Sequence, residues 1–369
     1  GATIDTTNPL GWVVKGISGE INYHKESIDV GNSGTTLAIA LGSASLAASD
    51  KEVIFTGDYQ IQNRPVGPLC RALTQLGASC QPLKNNDCAP VRIKGRLSGG
   101  KIAIHCKTSQ YLSSLLLACP LANGDTDIEV PLLYEPDYVK MTLDWLDKQG
   151  IRYSRQEMAY FSISGRQKYT SFDLPVAADF SSATFFLCAG ALLADELMLT
   201  GLDFSDSQPD KAVVDYLQQM GAEITVSPEG VLVRKSSLKG IDIDMNRTPD
   251  ALPAMAVTAA FASGTTRLLN VPQARTKETD RIACMAKELT KLGADVEELP
   301  DGLVIRGGKK LHSAALHGYD DHRIVMVCAI AGMCLDGTST VDTAEAAGVT
   351  FPDFVPLMNS IGAKITLSK

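Results

Sequence analysis

A helical ending, a glycine and the start of a strand recur five times along this chain, and no other feature limits its fold as strongly. The joints are Leu73-Thr74-Gln75-Leu76-Gly77-Ala78, Leu146-Asp147-Lys148-Gln149-Gly150-Ile151, Leu217-Gln218-Gln219-Met220-Gly221-Ala222, Leu289-Thr290-Lys291-Leu292-Gly293-Ala294 and Met358-Asn359-Ser360-Ile361-Gly362-Ala363. Their glycines lie 73, 71, 72 and 69 residues apart. A glycine after the last helical turn takes the left-handed conformation without a Cβ clash, so each joint predicts a helix C-cap followed by a strand. A near-constant period of this length marks a whole supersecondary unit that is repeated.

Each unit continues into a hairpin, as in Val91-Arg92-Ile93-Lys94-Gly95, Tyr160-Phe161-Ser162-Ile163, Val231-Leu232-Val233-Arg234 and Gly302-Leu303-Val304-Ile305-Arg306, all alternating or β-branched. Trp12-Val13-Val14-Lys15-Gly16 stands at the same stage, behind Gly1-Ala2-Thr3-Ile4, which reads as the tail of the same joint with its helix absent. The chain is therefore expected to open in mid-unit, with roughly sixty to seventy residues of a first unit missing or supplied as a separate N-terminal fragment.

Later in each unit a polar loop feeds an apolar helix rich in small residues. Examples are Gly31-Asn32-Ser33-Gly34-Thr35-Thr36 before Leu37, Lys107-Thr108-Ser109-Gln110 before Tyr111, and Asp179-Phe180-Ser181-Ser182 before Ala183. Arg247-Thr248-Pro249-Asp250 before Ala251 and Asp320-Asp321-His322-Arg323 before Ile324 complete the set. Helices this apolar must be buried, leaving only their N-terminal ends to face solvent or ligand. Free amides and the positive end of the helix dipole favour anions there, although Ser, Thr and Asp are also ordinary N-caps. Taken singly, either reading serves.

A chain of 369 residues exceeds what one hydrophobic core organises, and the repeats place a domain boundary near Lys168 to Pro175, giving domains 1–172 and 173–369. The formal net charge of -8 and the lack of a basic stripe exclude a nucleic-acid surface, so any anionic ligand must be held by locally gathered cations. No apolar run is long enough to span a membrane. Nine cysteines without C-x-x-C spacing support neither a zinc site nor a disulfide framework, and a cytoplasmic location fits them. One run stands out by charge: Arg275-Thr276-Lys277-Glu278-Thr279-Asp280-Arg281, ahead of an amphipathic helix. A solvated helix start would give the same composition.

The ordered set of motifs resembles the enolpyruvyl transferase family, in the branch that acts on shikimate 3-phosphate. It comprises Gly31-Asn32-Ser33-Gly34-Thr35, Asn63-Arg64-Pro65, Ser109-Gln110-Tyr111-Leu112, Asp179-Phe180-Ser181-Ser182-Ala183, Asp244-Met245-Asn246 with Pro249-Asp250-Ala251, Lys277-Glu278-Thr279-Asp280-Arg281, Asp321-His322-Arg323 and Thr350-Phe351-Pro352-Asp353. The resemblance implies an α/β fold of two domains, each of three βαβαββ repeats, the first repeat being truncated here, with the active site in the cleft between the domains. It implies transfer of the enolpyruvyl group of phosphoenolpyruvate to the 5-hydroxyl of shikimate 3-phosphate with release of phosphate, as a step toward aromatic amino acids. No metal or organic cofactor is implied, and a monomer is expected.

Matched residue by residue, the resemblance gives Asp250 the reacting hydroxyl, as base or orienter, Glu278 the proton traffic at the methylene carbon, and Lys277 a place beside both. Arg64, Arg281 and Arg323 match the arginines that clamp phosphoenolpyruvate, for which a planar fork is well suited. Thr108, Ser109 and Gln110 match contacts to the phosphate and ring of the acceptor, together with Ser181 or Ser182 and Tyr138. His322 is as well explained by structure as by catalysis. Glu135 stands near where many relatives have a serine for the acceptor phosphate, and that role is not carried over.

Three departures weaken the anion-binding set: the family's opening Ser-Lys-Ser motif has no counterpart, Ala38 replaces an arginine, and Val349 replaces a lysine. They leave two other readings open, a lyase that eliminates phosphate from a phosphorylated cyclohexene acid and a non-catalytic binding homologue. A branch acting on nucleotide sugars is disfavoured, because the Arg64 loop lacks the cysteine which that branch uses.

Overall fold

The chain is described here from a computed structural model covering residues 1–48 and 50–368. Its backbone separates into two compact units, Gly1–Leu174 and Pro175–Lys369, with the boundary two residues beyond the one expected from the repeats. Each unit has its own apolar core, the first centred on residues such as Leu41, Leu69, Leu112 and Phe161, the second on Leu217, Met255, Ile305 and Ile324.

The first unit opens with an antiparallel hairpin of β1 (Thr3–Asp5) and β2 (Val13–Lys15) that pairs Ile4 with Val14. Two full repeats follow. The first runs β3 (Ser27–Asp29), α1 (Gly34–Ala44), β4 (Glu52–Thr56), α2 (Gly67–Gln75), β5 (Ser79–Pro82) and β6 (Val91–Lys94). The second runs β7 (Gly100–Cys106), α3 (Ser109–Ala118), β8 (Thr126–Leu133), α4 (Pro136–Lys148), β9 (Tyr153–Gln156) and β10 (Tyr160–Ile163). Their sheets have the same order, β3-β4-β6-β5 and β7-β8-β10-β9. In each, the first two strands are parallel and the other pairings antiparallel. A helix must carry the parallel crossover, whereas the antiparallel partner needs only a tight turn, which is why the unit reads βαβαββ.

The second unit begins with α5 (Phe180–Leu193), β11 (Leu197–Leu199), α6 (Ala212–Gln219), β12 (Glu223–Ser227) and β13 (Gly230–Arg234). A complete repeat follows in β14 (Asp242–Asp244), α7 (Leu252–Phe261), β15 (Thr265–Leu269), α8 (Arg281–Lys291), β16 (Asp295–Leu299) and β17 (Gly302–Arg306), again in the order β14-β15-β17-β16. The last repeat contributes β18 (Ala315–Leu316), α9 (His322–Met333), β19 (Thr340–Val341) and α10 (Phe354–Ser360).

The glycine joints are all of one kind. Gly77, Gly150, Gly221, Gly293 and Gly362 have φ between 66° and 109°, and the next residue donates its amide back five positions, as Ala78 does to Leu73 O. That is the 6→1 bond of a Schellman cap. The strand expected after Gly362 is not formed: the backbone of Ile365 is bonded in both directions by the Asn359 side chain instead of by a neighbouring strand.

Two helix types alternate. The amphipathic ones bury one stripe, as α8 does with Ile282, Met285 and Leu289. The apolar ones are enclosed: α7 buries every residue from Leu252 to Ala260. Burying a Leu or Met fully contributes about 1.5–3 kcal/mol, so these inner helices fix their own N-terminal ends firmly. In the first unit the inner pair α1 and α3 approach closely at Gly42, where an added Cβ would lie 2.8 Å from the Ser114 carbonyl oxygen. Ser114 Oγ also donates to Ala38 O at 2.6 Å, which ties the two helices together at their middle.

Candidate functional site

The opposed charges of the second unit converge on Arg281, the first residue of α8. Its side chain is 1% exposed, although arginine is almost never enclosed without partners. Here the partners are three carboxylates. Nε and Nη2 fork onto Asp321 at 2.8 and 3.2 Å, Nη1 donates to Asp250 Oδ1 at 2.8 Å, and Nη2 also reaches Glu278 Oε2 at 2.5 Å. Two further cations flank Asp250, with Lys277 Nζ at 3.7 Å and Arg323 Nη2 at 3.7 Å. Arg323 bonds the Asp250 carbonyl at 3.2 Å and Ser181 Oγ at 2.8 Å. Asp250, Glu278 and Asp321 thus balance Lys277, Arg281 and Arg323 in charge.

Local sequence explains how these groups meet. Asp179 and Asp321 are N-caps, accepting amides from Ser181 and Ser182 and from Arg323, and Asp280 caps α8 through Ala283 N. Asp250 is the exception. It sits in a short 3₁₀ turn, Pro249–Ala251, whose side chains make no capping bond, so its carboxylate is turned to the cations instead of to its own helix. The ordinary N-cap reading therefore holds for Asp179 and fails for Asp250.

Burial would push the Asp250 carboxyl up, but Lys277, Arg323 and Arg281 together hold it far below the usual carboxylate range. Arg281 is kept protonated despite its burial by Asp321, Glu278 and Asp250. His322, at the start of α9, is shifted the other way. Burial, then Arg281 and Arg323, lowers it from 6.5 to about 4, so the ring is neutral at pH 7.

Between these values the unfolded chain takes up a proton that the folded chain refuses, so stability falls as pH drops from about 6.5 toward 4. The loss at the acid end amounts to roughly 3 kcal/mol. His322→Asn is expected to flatten the decline in melting temperature across that window. An unchanged pH profile of thermal unfolding in the variant would show that His322 is not responsible.

In the first unit, the N-termini of α1 and α3 lie side by side. Ser33 caps α1 through Thr36 N, Thr108 caps α3 through Gln110 N, and Gln110 Nε2 bridges to Thr35 Oγ1 at 2.9 Å. The Arg64 guanidinium lies over Gly34: a Cβ there would stand 2.7 Å from Arg64 Cζ. Tyr111 holds the Arg64 loop by donating its hydroxyl to Pro65 O. Ser109 is buried, and its amide and hydroxyl donate to Glu135 Oε2 at 3.1 and 2.8 Å.

The structure thus brings Asp250, Lys277, Glu278, Arg281, Arg323 and Ser181 into one cluster. Ser182 is not in it, because its hydroxyl is bonded to the capping Asp179 at 2.6 Å. Arg281, expected as a substrate clamp, has its guanidinium bonded to Asp250, Glu278 and Asp321. Arg64, Thr108, Ser109 and Gln110 gather at the paired helix ends of the first unit, and Tyr138 lies in the first turn of α4, with its amide bonded to Glu135 O.

Sequence reading missed two participants. Asp321 reads in the sequence as a helix cap and is also the fork under Arg281; Glu135 carries no role in the sequence reading and is the anion at the α3 end. Of the two replaced cations, Ala38 is 2% exposed and packed in the core of the first unit, whereas Val349 is exposed. Among the described residues no cluster of His, Cys, Asp and Glu is arranged to hold a metal ion, and no helix is long and apolar enough to cross a membrane.

A sequence model of the EPSP synthase (3-phosphoshikimate 1-carboxyvinyltransferase) family matches residues 1–358. A 3-phosphoshikimate 1-carboxyvinyltransferase of Ruminiclostridium cellulolyticum is 53% identical over 367 residues, covering 100% of this chain and 86% of the relative. One from Acetivibrio thermocellus is 49% identical over 355 residues, covering 96% and 83%. Among solved structures, EPSP synthase from Acinetobacter baumannii superposes with a TM-score of 0.81 at 27% identity, over 100% of this chain and 86% of that one. The enolpyruvyl transferase NikO from Streptomyces tendae shares the fold, with a TM-score of 0.66 at 21% identity over 81% and 71%.

Proposed function

The chain belongs to the EPSP synthase (3-phosphoshikimate 1-carboxyvinyltransferase) family, and on that footing we propose that it transfers the enolpyruvyl group of phosphoenolpyruvate to the 5-hydroxyl of shikimate 3-phosphate, releasing phosphate. The observation that supports this reading best is Asp250: a carboxylate freed from helix capping, set among three cations, with Glu278 on the same arginine.

The reaction adds the acceptor hydroxyl to C2 of phosphoenolpyruvate while the methylene carbon C3 takes a proton, giving a tetrahedral intermediate. C3 then returns a proton, the bond from C2 to the phosphate oxygen breaks, and the enol ether and phosphate leave. Asp250 is assigned to the hydroxyl. Held low by its cations, it is a weak base by itself and an effective orienter. When an anionic substrate engages Lys277 or Arg323, their pull on Asp250 falls and its proton affinity rises, so base strength is coupled to occupancy. Glu278 is assigned to C3, where it gives a proton in addition and takes one in elimination. Lys277, Arg323 and Arg64 are assigned to the carboxylate and phosphate of phosphoenolpyruvate. Thr108, Ser109 and Gln110, with Tyr138, are assigned to the acceptor.

The test is phosphate release with both substrates, with the product's vinyl protons followed by NMR. Release that needs both substrates supports the transferase. No release with both sinks it, and release from shikimate 3-phosphate alone would mark a lyase.

Gly34 makes a sharper test of Arg64. Gly34→Ala places a methyl group against the guanidinium, the movable end of a long side chain, so the fold should be unaffected while Arg64 is displaced. The KM for phosphoenolpyruvate is expected to rise about tenfold, the weight of one well-placed charged hydrogen bond, with the melting temperature unchanged. An unaltered KM would remove Arg64 from the binding set.

A further inference from the structure

The amide and hydroxyls at the start of α3 are already engaged by an anion, and the chain supplies it. Glu135, the residue before α4, has φ +60° and ψ +47°, in the left-handed region that few side chains other than glycine, asparagine and aspartate adopt. Its residue surface is 1% exposed. Oε2 accepts from Ser109 N at 3.1 Å, Ser109 Oγ at 2.8 Å and Thr108 Oγ1 at 3.3 Å. One carboxylate oxygen thus draws on the two hydroxyls and the amide that would otherwise meet an anionic ligand at this helix end.

We propose that Glu135 is a specificity-determining residue for the acceptor: its carboxylate is an internal competitor that the acceptor's phosphate must displace. This rests on the assignment of Thr108 and Ser109 to that phosphate. Two anions cannot share these donors, and a fixed carboxylate beside them repels an incoming one. A singly charged ligand gains no more from the donors than Glu135 already does. A phosphate dianion, with more charge and three acceptor oxygens, gains more and can take them. The device therefore selects phosphorylated over unphosphorylated acceptors while lowering affinity for the phosphorylated one.

Glu135→Gln keeps the shape and removes the charge. The KM for shikimate 3-phosphate is expected to fall at least fivefold, while that for phosphoenolpyruvate moves less than twofold. Calorimetric titration with shikimate 3-phosphate alone should show the same gain, and inorganic phosphate should become a stronger inhibitor competitive with the acceptor. An acceptor KM that stays or rises in a variant of unchanged melting temperature would overturn the proposal and leave Glu135 a structural cap. Glu135→Asp, which draws the carboxylate back by one methylene, carries the same test if the glutamine variant does not fold, with a smaller shift in the same direction. Failure of the parent protein to turn over both substrates would strike the functional reading instead, and the calorimetric arm still decides the role of Glu135.

Discussion

Arg281→Met is expected to destabilise the protein by about 3–5 kcal/mol and to abolish turnover, because the change leaves three carboxylates facing one another without their common cation. The side chain it removes is 1% exposed and bonded to Asp250, Glu278 and Asp321. Methionine fills much of the volume, so loss of packing contributes little beside the loss of charge. A distinctive pH dependence should follow. In the parent, the depressed pKa of Asp250 contributes stability that is fully present above the ordinary carboxylate range and is lost progressively as pH falls below it. In the variant Arg281's share of that contribution is gone, although Lys277 and Arg323 still flank Asp250, and the carboxylates left without their common cation take up protons more readily, so the deficit should narrow as pH is lowered through the carboxylate range. Urea unfolding at pH 7 and at pH 5 checks both statements. A deficit below about 1 kcal/mol would mean that Arg281 is not the hub the geometry describes, since even a buried pair of average quality costs more than that to break.

The repeat was legible because its determinants are local. A left-handed joint demands glycine, and at all five joints the glycine is present with φ positive. Hairpins and apolar helices also carry their periodicity in the residues themselves. What composition and spacing left open was the direction in which each polar residue at a helix start turns. Asp179, Asp250 and Asp321 all sit ahead of apolar helices, and sequence alone gives all three the same N-cap reading. The first caps, the second does not, and the third caps while also forking Arg281. The difference lies in side chains brought from 31 to 73 residues away, Arg281 and Arg323 for Asp250 and Arg281 for Asp321, and no local rule contains that information. Ala38 shows the converse. Set against a family pattern it is a replaced cation, and in the fold it is a buried residue of α1 whose carbonyl accepts from Ser114 of α3, a contact that no spacing along the chain announces.

Asp250→Asn separates electrostatics from proton transfer at the same atom. The amide oxygen can still accept from Arg281 Nη1, so the hub should keep its shape and the melting temperature should fall only modestly. The loss falls on turnover. A positioned acid or base contributes about 10²–10⁴-fold, and kcat is expected to drop by that order. Binding should move the other way. In the parent the three carboxylates balance the three cations around this site, so an anionic substrate must compete with Asp250 for Lys277 and Arg323. Removing one carboxylate leaves those cations less engaged, and affinity for phosphoenolpyruvate should hold or increase. A steady-state assay with both substrates varied decides the matter. If kcat fell with no loss of phosphoenolpyruvate binding, Asp250 would be acting on the proton. A rise in KM with kcat preserved would instead make Asp250 an anchor for its cations, and the base would have to be sought elsewhere, with Glu278 the next carboxylate on the same guanidinium.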